Sequence, residues 1–375
     1  MQDKMFYVGG VALLFLSSAV VAKDKKDEVA PTVSTAPAGF TEIGTATLAG
    51  TKRVAITNVM VTIQASTSAA SGPSDWFKFL QPKHAAETVL AWENFSDAEQ
   101  KAIANAAYEK LKTDLTAAGF EVVPESEVKG NANYQAIVKL AKIPNPTRYA
   151  NILGDAYYAG PDSLTPYMPY NIEVGQFQTE PKSYIGWSSN MGWKSTTPNG
   201  PSAMSLQNIW NLPKLEVQLA KDLNAHVVKA QYVVTLGRAA AKRDHMITQT
   251  YYEKTTNYSA EGTAYAEPGL LPGQTHISFR TPTGNAKWQK GTLTKVTPPK
   301  DGDVSVHLLQ PMGGRTDLFT LTSESDRKDK FLSVGGPQFK FLFRAQLINP
   351  KGYADEVGNL IAAANGYMLP LVKQQ

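Results

Sequence analysis

The chain contains no cysteine. Disulfides, thiolate metal sites, cysteine nucleophiles and a lipid anchor on an N-terminal cysteine are therefore excluded. With 375 residues and no covalent staple, the fold must be held by its own core. That is feasible, because chains above about 150 residues bury most of their surface on folding. Charge is scarce too: Asp, Glu, Lys and Arg make up 19% of the chain, against about 25% in an average globular protein. The net charge of +4 is mild, and the basic residues are scattered. A nucleic-acid footprint needs a basic stripe, since phosphate neutralisation drives that affinity, so no nucleic-acid partner is expected. Histidine is rare as well. His84, His226, His245, His276 and His307 are its five occurrences, and no two stand at a metal-ligand spacing. Neither G-x-x-x-x-G-K-[ST] nor G-x-G-x-x-G occurs, and G-x-S-x-G is absent. The sequence thus predicts no metal, no cofactor and no catalytic residue.

In place of charge the chain carries Thr, Ser, Asn and Gln, with 28 Gly and 23 Pro. This composition predicts a loop-rich, strand-containing protein with a neutral polar surface, common in exported proteins. Residues 1–22 read MQDKMFYVGGVALLFLSSAVVA. Lys4 makes a positive n-region, Phe6 to Leu16 an apolar h-region, and Val20-Val21-Ala22 a small-residue end that fits signal peptidase. The apolar run is short of the roughly 20 residues that span a bilayer. A cleaved signal peptide over 1–22 is expected, followed by a flexible Pro/Thr/Ala-rich leader over 23–38. Lack of cysteine fits a bacterial envelope better than a eukaryotic secretory route.

Alternation and β-branching predict a strand over 51–65. Ser71 to Lys83 reads as a loop containing Trp76, Phe77 and Phe79. Ser96-Asp97-Ala98-Glu99 is a capping box, and Ile103, Ala107, Leu111 and Leu115 then repeat at i+4. Gly119 supplies a left-handed C-cap position, and Phe120 to Val123 is a short strand stopped by Pro124. A strand, a capped helix and a second strand form a β-α-β unit on a mixed sheet. Periodicity leaves Ala132 to Ile143 open between strand and helix. Leu215 to Val228 reads as a helix and Gln231 to Ala241 as a strand. Segments such as THISFRT, KGTLTKV and DVSVHLL predict mainly β structure over 246–310, with a tight turn at Asp301-Gly302. Further strands are expected at 317–322 and 338–347, and a helix over 351–371.

These elements predict an α+β (or α/β) protein, with a mixed sheet, packed helices, a β-rich section and long aromatic loops. The expected organisation is an α/β domain over 39–245, carrying an aromatic loop insertion at about 144–213, then a β-rich section with a C-terminal helix over 246–375. Phe177, Tyr184, Trp187 and Trp193 in that insertion lack helical spacing. They are the candidate interaction surface, for a protein partner or a sugar ring, or equally the outer band of membrane-inserted hairpins; the bland alternative is that they pin loops to the domain's own core. Ser325-Asp326-Arg327-Lys328 matches S-x-x-K but sits in a charged run with no K-T-G after it, so it reads as a solvated turn.

KRVAITNVMVTI followed by a capped helix ending in KLKTDLTAAGFEVV resembles the opening of the curli-secretion-channel (CsgG-like) and TolB N-terminal-like group of periplasmic α/β domains. Leu111, Leu115, Gly119, Phe120, Val122 and Val123 carry the likeness. LEVQLAKDLNAHVVKAQYVVTLGRA is similar to the step from a helix into the central strand of such domains. The resemblance covers about a third of the chain and implies a periplasmic domain used in assembly or secretion, often in homo-oligomeric rings. Curli-type channels carry a lipidated N-terminal cysteine, and this chain departs from them there. Thr, Lys and Arg interrupt the alternating segments over 246–347, which favours soluble sheet over inserted hairpins. The expected function is that of a non-enzymatic exported envelope protein acting in assembly, secretion or surface structure through self-association. Its expected partners are further copies or another envelope protein, with peripheral membrane association as an option, in the periplasm, at the outer membrane or outside the cell. The alternative is an exported carbohydrate-binding protein or glycan-active hydrolase drawing on Glu173, Glu180, Glu216 and Asp222.

Overall fold

A computed structural model describes residues 40–43, 48, 51–71, 85–93, 96–151, 154–167, 194–195, 206–249, 254–272, 275–282, 303–308, 311–328 and 338–372. The chain divides into two compact units, Met1–Pro31 and Thr32–Gln375, and every described residue belongs to the second. The expected signal peptide and leader lie outside the described residues, as do Trp76, Phe77 and Phe79, KGTLTKV and Asp301-Gly302.

The architecture is α+β, as expected, and the described residues form two mixed sheets and five α-helices. The strands are β1 (Phe40–Ile43), β2 (Arg53–Gln64), β3 (Ser66–Ser71), β4 (Ala85–Glu93), β5 (Glu121–Val122), β6 (Thr147–Asn151), β7 (Gly154–Ala159), β8 (Lys194–Ser195), β9 (His226–Gln249), β10 (Lys254–Leu270), β11 (His276–Arg280), β12 (Asp303–Leu308), β13 (Met312–Gly313), β14 (Phe319–Lys328) and β15 (Gln338–Leu347). The helices are α1 (Asp97–Ala117), α2 (Glu125–Gly130), α3 (Ala132–Ala141), α4 (Leu206–Asp222) and α5 (Pro350–Met368). The larger sheet runs β1-β12-β11-β9-β2-β7-β6-β8, with β5 beside β2 and β10 beside β9.

At its centre β2 and β9 lie parallel. From its second residue to its last, β2 is buried, as a strand covered on both faces must be. A register shift between Ile56 and Asn58 marks a bulge at Thr57. Beyond it Val59, Val61 and Ile63 stand beside Ala230, Tyr232 and Val234 on one face, and Asn58, Met60 and Thr62 stand beside Lys229, Gln231 and Val233 on the other.

α1 and α5 cover the first face. The Tyr232 hydroxyl donates to Asn365 of α5 at 2.8 Å, and the Asn365 amide donates to Asp114 of α1 at 2.9 Å. Phe120 stacks on Phe279 of β11 at 5.9 Å. α1 starts where the capping box places it: Ser96 accepts from the Glu99 amide at 3.2 Å, and the Ser96 amide donates to the Glu99 carboxylate at 2.9 Å. It is followed by Gly119 at φ +90, a conformation that favours glycine. β5 then pairs parallel with β2 and completes the β-α-β unit.

α4 covers the other face, with α3 against it. Here the structure decides one reading that periodicity left open and corrects another. Residues 132–141 are a helix, N-capped by Asn131, whose side chain accepts from the Asn133 amide at 2.8 Å. Tyr134, Ile137 and Ala141 form its buried stripe. α4 begins at Leu206, nine residues before the expected start at Leu215 and inside the segment read as loops, and Pro213 lies within it. Its end is also earlier than expected. Asn224 takes φ 45, reverses the chain, and releases His226 to Val228 into β9.

The second sheet runs β14-β15-β4-β3. β2 enters it without a loop, since the chain bends at Ala65 and continues as β3. The sheet packs on the distal part of the β9–β10 hairpin, which crosses residue 245. Thr88 of β4 donates to the Ala240 carbonyl at 2.8 Å. Trp92, Phe319 and Tyr353 meet edge to face at 5.0 to 5.7 Å and tie this sheet to α5. A Cβ added at Gly262 of β10 would fall on the Phe341 ring of β15. Gly262→Ala should therefore cost about 1–3 kcal/mol, as overpacking does, read as a lower urea midpoint. Combination with Phe341→Ala should recover part of the loss; additivity of the two would rule out this contact as the cause.

His226 opens β9 with its side chain buried. Its Nε2–H donates to the Thr51 carbonyl at 2.9 Å, while Nδ1 is buried with no hydrogen-bond partner. Burial holds its pKa below the ordinary 6.5, partly opposed by the Thr51 bond. Below that pH the unfolded chain takes up a proton that the folded chain resists, so stability falls with pH until the lowered folded value is reached. Urea unfolding should show lower stability at about pH 5 than at pH 7.5, and His226→Gln should flatten the difference. An undiminished difference in the variant would show that another group sets it.

Candidate functional site

Phe177, Tyr184, Trp187 and Trp193, the surface expected from sequence, lie outside the described residues, as do His84, Glu173 and Glu180. The other sequence candidates can be placed. His276 and His307 stand directly opposite each other on β11 and β12, a proximity that sequence spacing did not reveal. Among the described residues no group of three His, Asp or Glu is arranged to hold a metal. Ser325-x-x-Lys328, expected in a solvated turn, lies instead on β14, a strand, so the helical spacing that motif needs is absent.

Of the carboxylates considered for hydrolysis, Asp222 accepts from Gln218 at 2.9 Å and from Asn133 at 2.7 Å. The Gln218 bond above all holds its pKa below the usual range. This pins the end of α4 to the start of α3. Glu216 is fully buried under the larger sheet. Lys229 of β9 reaches it at 2.9 Å and Arg280 of β11 at 2.7 Å. The Tyr167 hydroxyl lies 3.4 Å from the same carboxylate and 2.9 Å from Thr57 Oγ1. Asn58 donates to the Tyr167 carbonyl at 2.8 Å. The bulge at Thr57 helps bring these groups together.

The sequence signals for this cluster were a lone Glu on the apolar side of a helix and isolated Lys and Arg inside strands. Chemically the arrangement locks α4 onto the sheet: both oxygens of the carboxylate are engaged and none is exposed. Removing one partner of a buried ion pair costs about 3–5 kcal/mol, because the charge left behind is desolvated. Glu216→Gln should lower stability by that order in urea unfolding, while Glu109→Gln on exposed α1 surface should leave it within about 0.5 kcal/mol. Equal midpoints for the two variants would contradict this role.

The accessible feature is the border of the second sheet. Thr320 to Asp326 of β14 are exposed at every position, including Leu321 at 39%. β14 pairs β15 through ten register positions, and among the described residues no strand pairs its outer edge. It contains neither Pro nor Gly over its ten residues. On the outer face Arg344 bridges Glu93 at 3.2 Å and Glu324 at 3.6 Å, which braces β14 against its neighbours. At the other border stands β3. β14 is antiparallel to β15, β15 parallel to β4, and β4 antiparallel to β3. The two border strands therefore run in the same direction. Comparison with protein-family models, with curated protein sequences and with solved structures returns no match.

Proposed function

We propose that this chain is a non-enzymatic, exported cell-envelope protein that assembles with further copies of itself through the borders of its four-stranded sheet. The observation that carries the reading is β14, a ten-residue border strand exposed from Thr320 to Asp326. Such an edge offers a row of backbone donors and acceptors to another strand. Phe319 to Ser323 is an uncharged, β-prone half, and Glu324 onward is charged, so pairing is open at one end and discouraged at the other. The occupant is the β3 border of a second copy. Both strands run the same way, so β14 of one copy and β3 of the next extend the sheet head to tail, which closes into a ring or continues as a filament. Export rests on the signal-peptide pattern of residues 1–22. The assembly role agrees with the resemblance to the curli-channel and TolB-like group. Among the described residues no helix is long and apolar enough to cross a membrane.

The test is the mass of the native particle, by mass photometry with negative-stain imaging. A symmetric multimer or a filament is expected. In a strand adjacent backbone N–H groups point to opposite sides, so only one of Ser323→Pro and Glu324→Pro removes a bond to β15. The other should stay folded and lose assembly. A monomeric wild-type particle, or multimers that survive in both folded variants, would end this reading.

A further inference from the structure

Between α2, α3 and the segment after β7 lies a hollow of about 540 Å³. Lys129, Lys139 and Lys142 line it, with Tyr134, Gln135 and Thr165, and no carboxylate is among its lining residues. Glu125 pairs with Lys129 at 3.7 Å. Among the described residues no ion pair engages Lys139 or Lys142, and both are exposed. The lysines stand in the last turns of α2 and α3 and at the α3 C-cap, where a cation offsets the carbonyl ends of a helix. That role explains one lysine per helix end. It does not explain three around one concavity.

Tyr134 adds a second observation. Its side chain is 3% exposed, and its oxygen accepts from the Thr165 amide at 3.3 Å. No described acceptor takes the hydroxyl proton. Burial raises the phenol's pKa, so the proton stays on oxygen at neutral pH. The hollow therefore presents cationic and neutral donors together. A carboxylate would leave some of these donors unused; a phosphate, with three oxygens and close to two charges, matches the set.

We propose that this hollow binds a phosphate group, carried either on a free phosphorylated molecule or on an anionic lipid headgroup. Inorganic pyrophosphate is the first probe, titrated calorimetrically into the full chain at low and at physiological salt. Saturable binding that weakens with salt is expected. Lys139→Gln/Lys142→Gln should weaken it at least about tenfold, as loss of charge-assisted bonds does. Both side chains are exposed, so the unfolding midpoint should hold. Lys112→Gln/Lys340→Gln, which removes the same charge elsewhere, should leave the affinity unchanged. Flotation with phosphatidylcholine vesicles, with and without phosphatidic acid, separates the sources. Capture by the acidic vesicles alone, lost in the first variant, assigns a lipid headgroup; pyrophosphate binding without capture assigns a free ligand. No saturable binding in either assay, or equal loss in both double variants, overturns the proposal.

Discussion

A strand of 24 residues spans roughly 80 Å at about 3.3 Å per residue, more than one sandwich can cover. β9 is such a strand, and the rest of the structure follows from how its length is shared. Its first nine positions pair with β2 between helices on both faces. Its distal part pairs only with β10 among the described strands, and this hairpin carries the second sheet. Small residues make the junction possible: Gly237 comes against Leu90, and Gly262 against Phe341. The register slip between Ala266 and Gly269 lets β10 pass from one environment to the other and holds Pro268 where a regular ladder would exclude it.

Within the sandwich the two faces of β9 obey different rules. Toward α1 and α5 it is apolar, save for the Tyr232 hydroxyl, which Asn365 satisfies. Toward α4 it offers Lys229 and Gln231, and β11 adds Ser278 and Arg280 in register. Burying charge this way is weak evidence for stability, since an apolar core of equal volume often does as well. What it supplies is position. Both oxygens of Glu216 are engaged, so α4 cannot slide along the sheet by a turn without stranding a desolvated carboxylate.

Local chemistry was legible in the sequence. α1 was visible from its capping box and i+4 stripe, its end from Gly119, and β15 and α5 from their periodicity, because each signal is contained in a few adjacent residues. Long-range arrangement was not. The start of α4 was hidden because Pro213 reads as a breaker. α3 was ambiguous because its helical identity depends on Asn131 and a three-residue stripe. β3 and β4 gave no separate signal, since β3 is small and polar and continues β2. Glu216, Lys229 and Arg280 look like solvated residues until α4, β9 and β11 are superposed in space. The openness of β14 was equally hidden: its alternation shows a strand, while its place at the border is a property of the whole sheet.

The passage of β2 into β3 through Ala65 has a mechanical meaning. One covalent backbone joins the border of the outer sheet to the middle of the sandwich. A load applied along β3 enters β2 along its own axis and meets the parallel ladder with β9 in shear, where the backbone bonds resist together. A load on β14 has no such covalent path into β2; it passes through the ladder to β15 and then the parallel ladder to β4, while Trp92, Phe319 and Tyr353 tie the sheet to α5. The outer sheet is thus moored covalently on its β3 side and through hydrogen-bonded ladders on its β14 side.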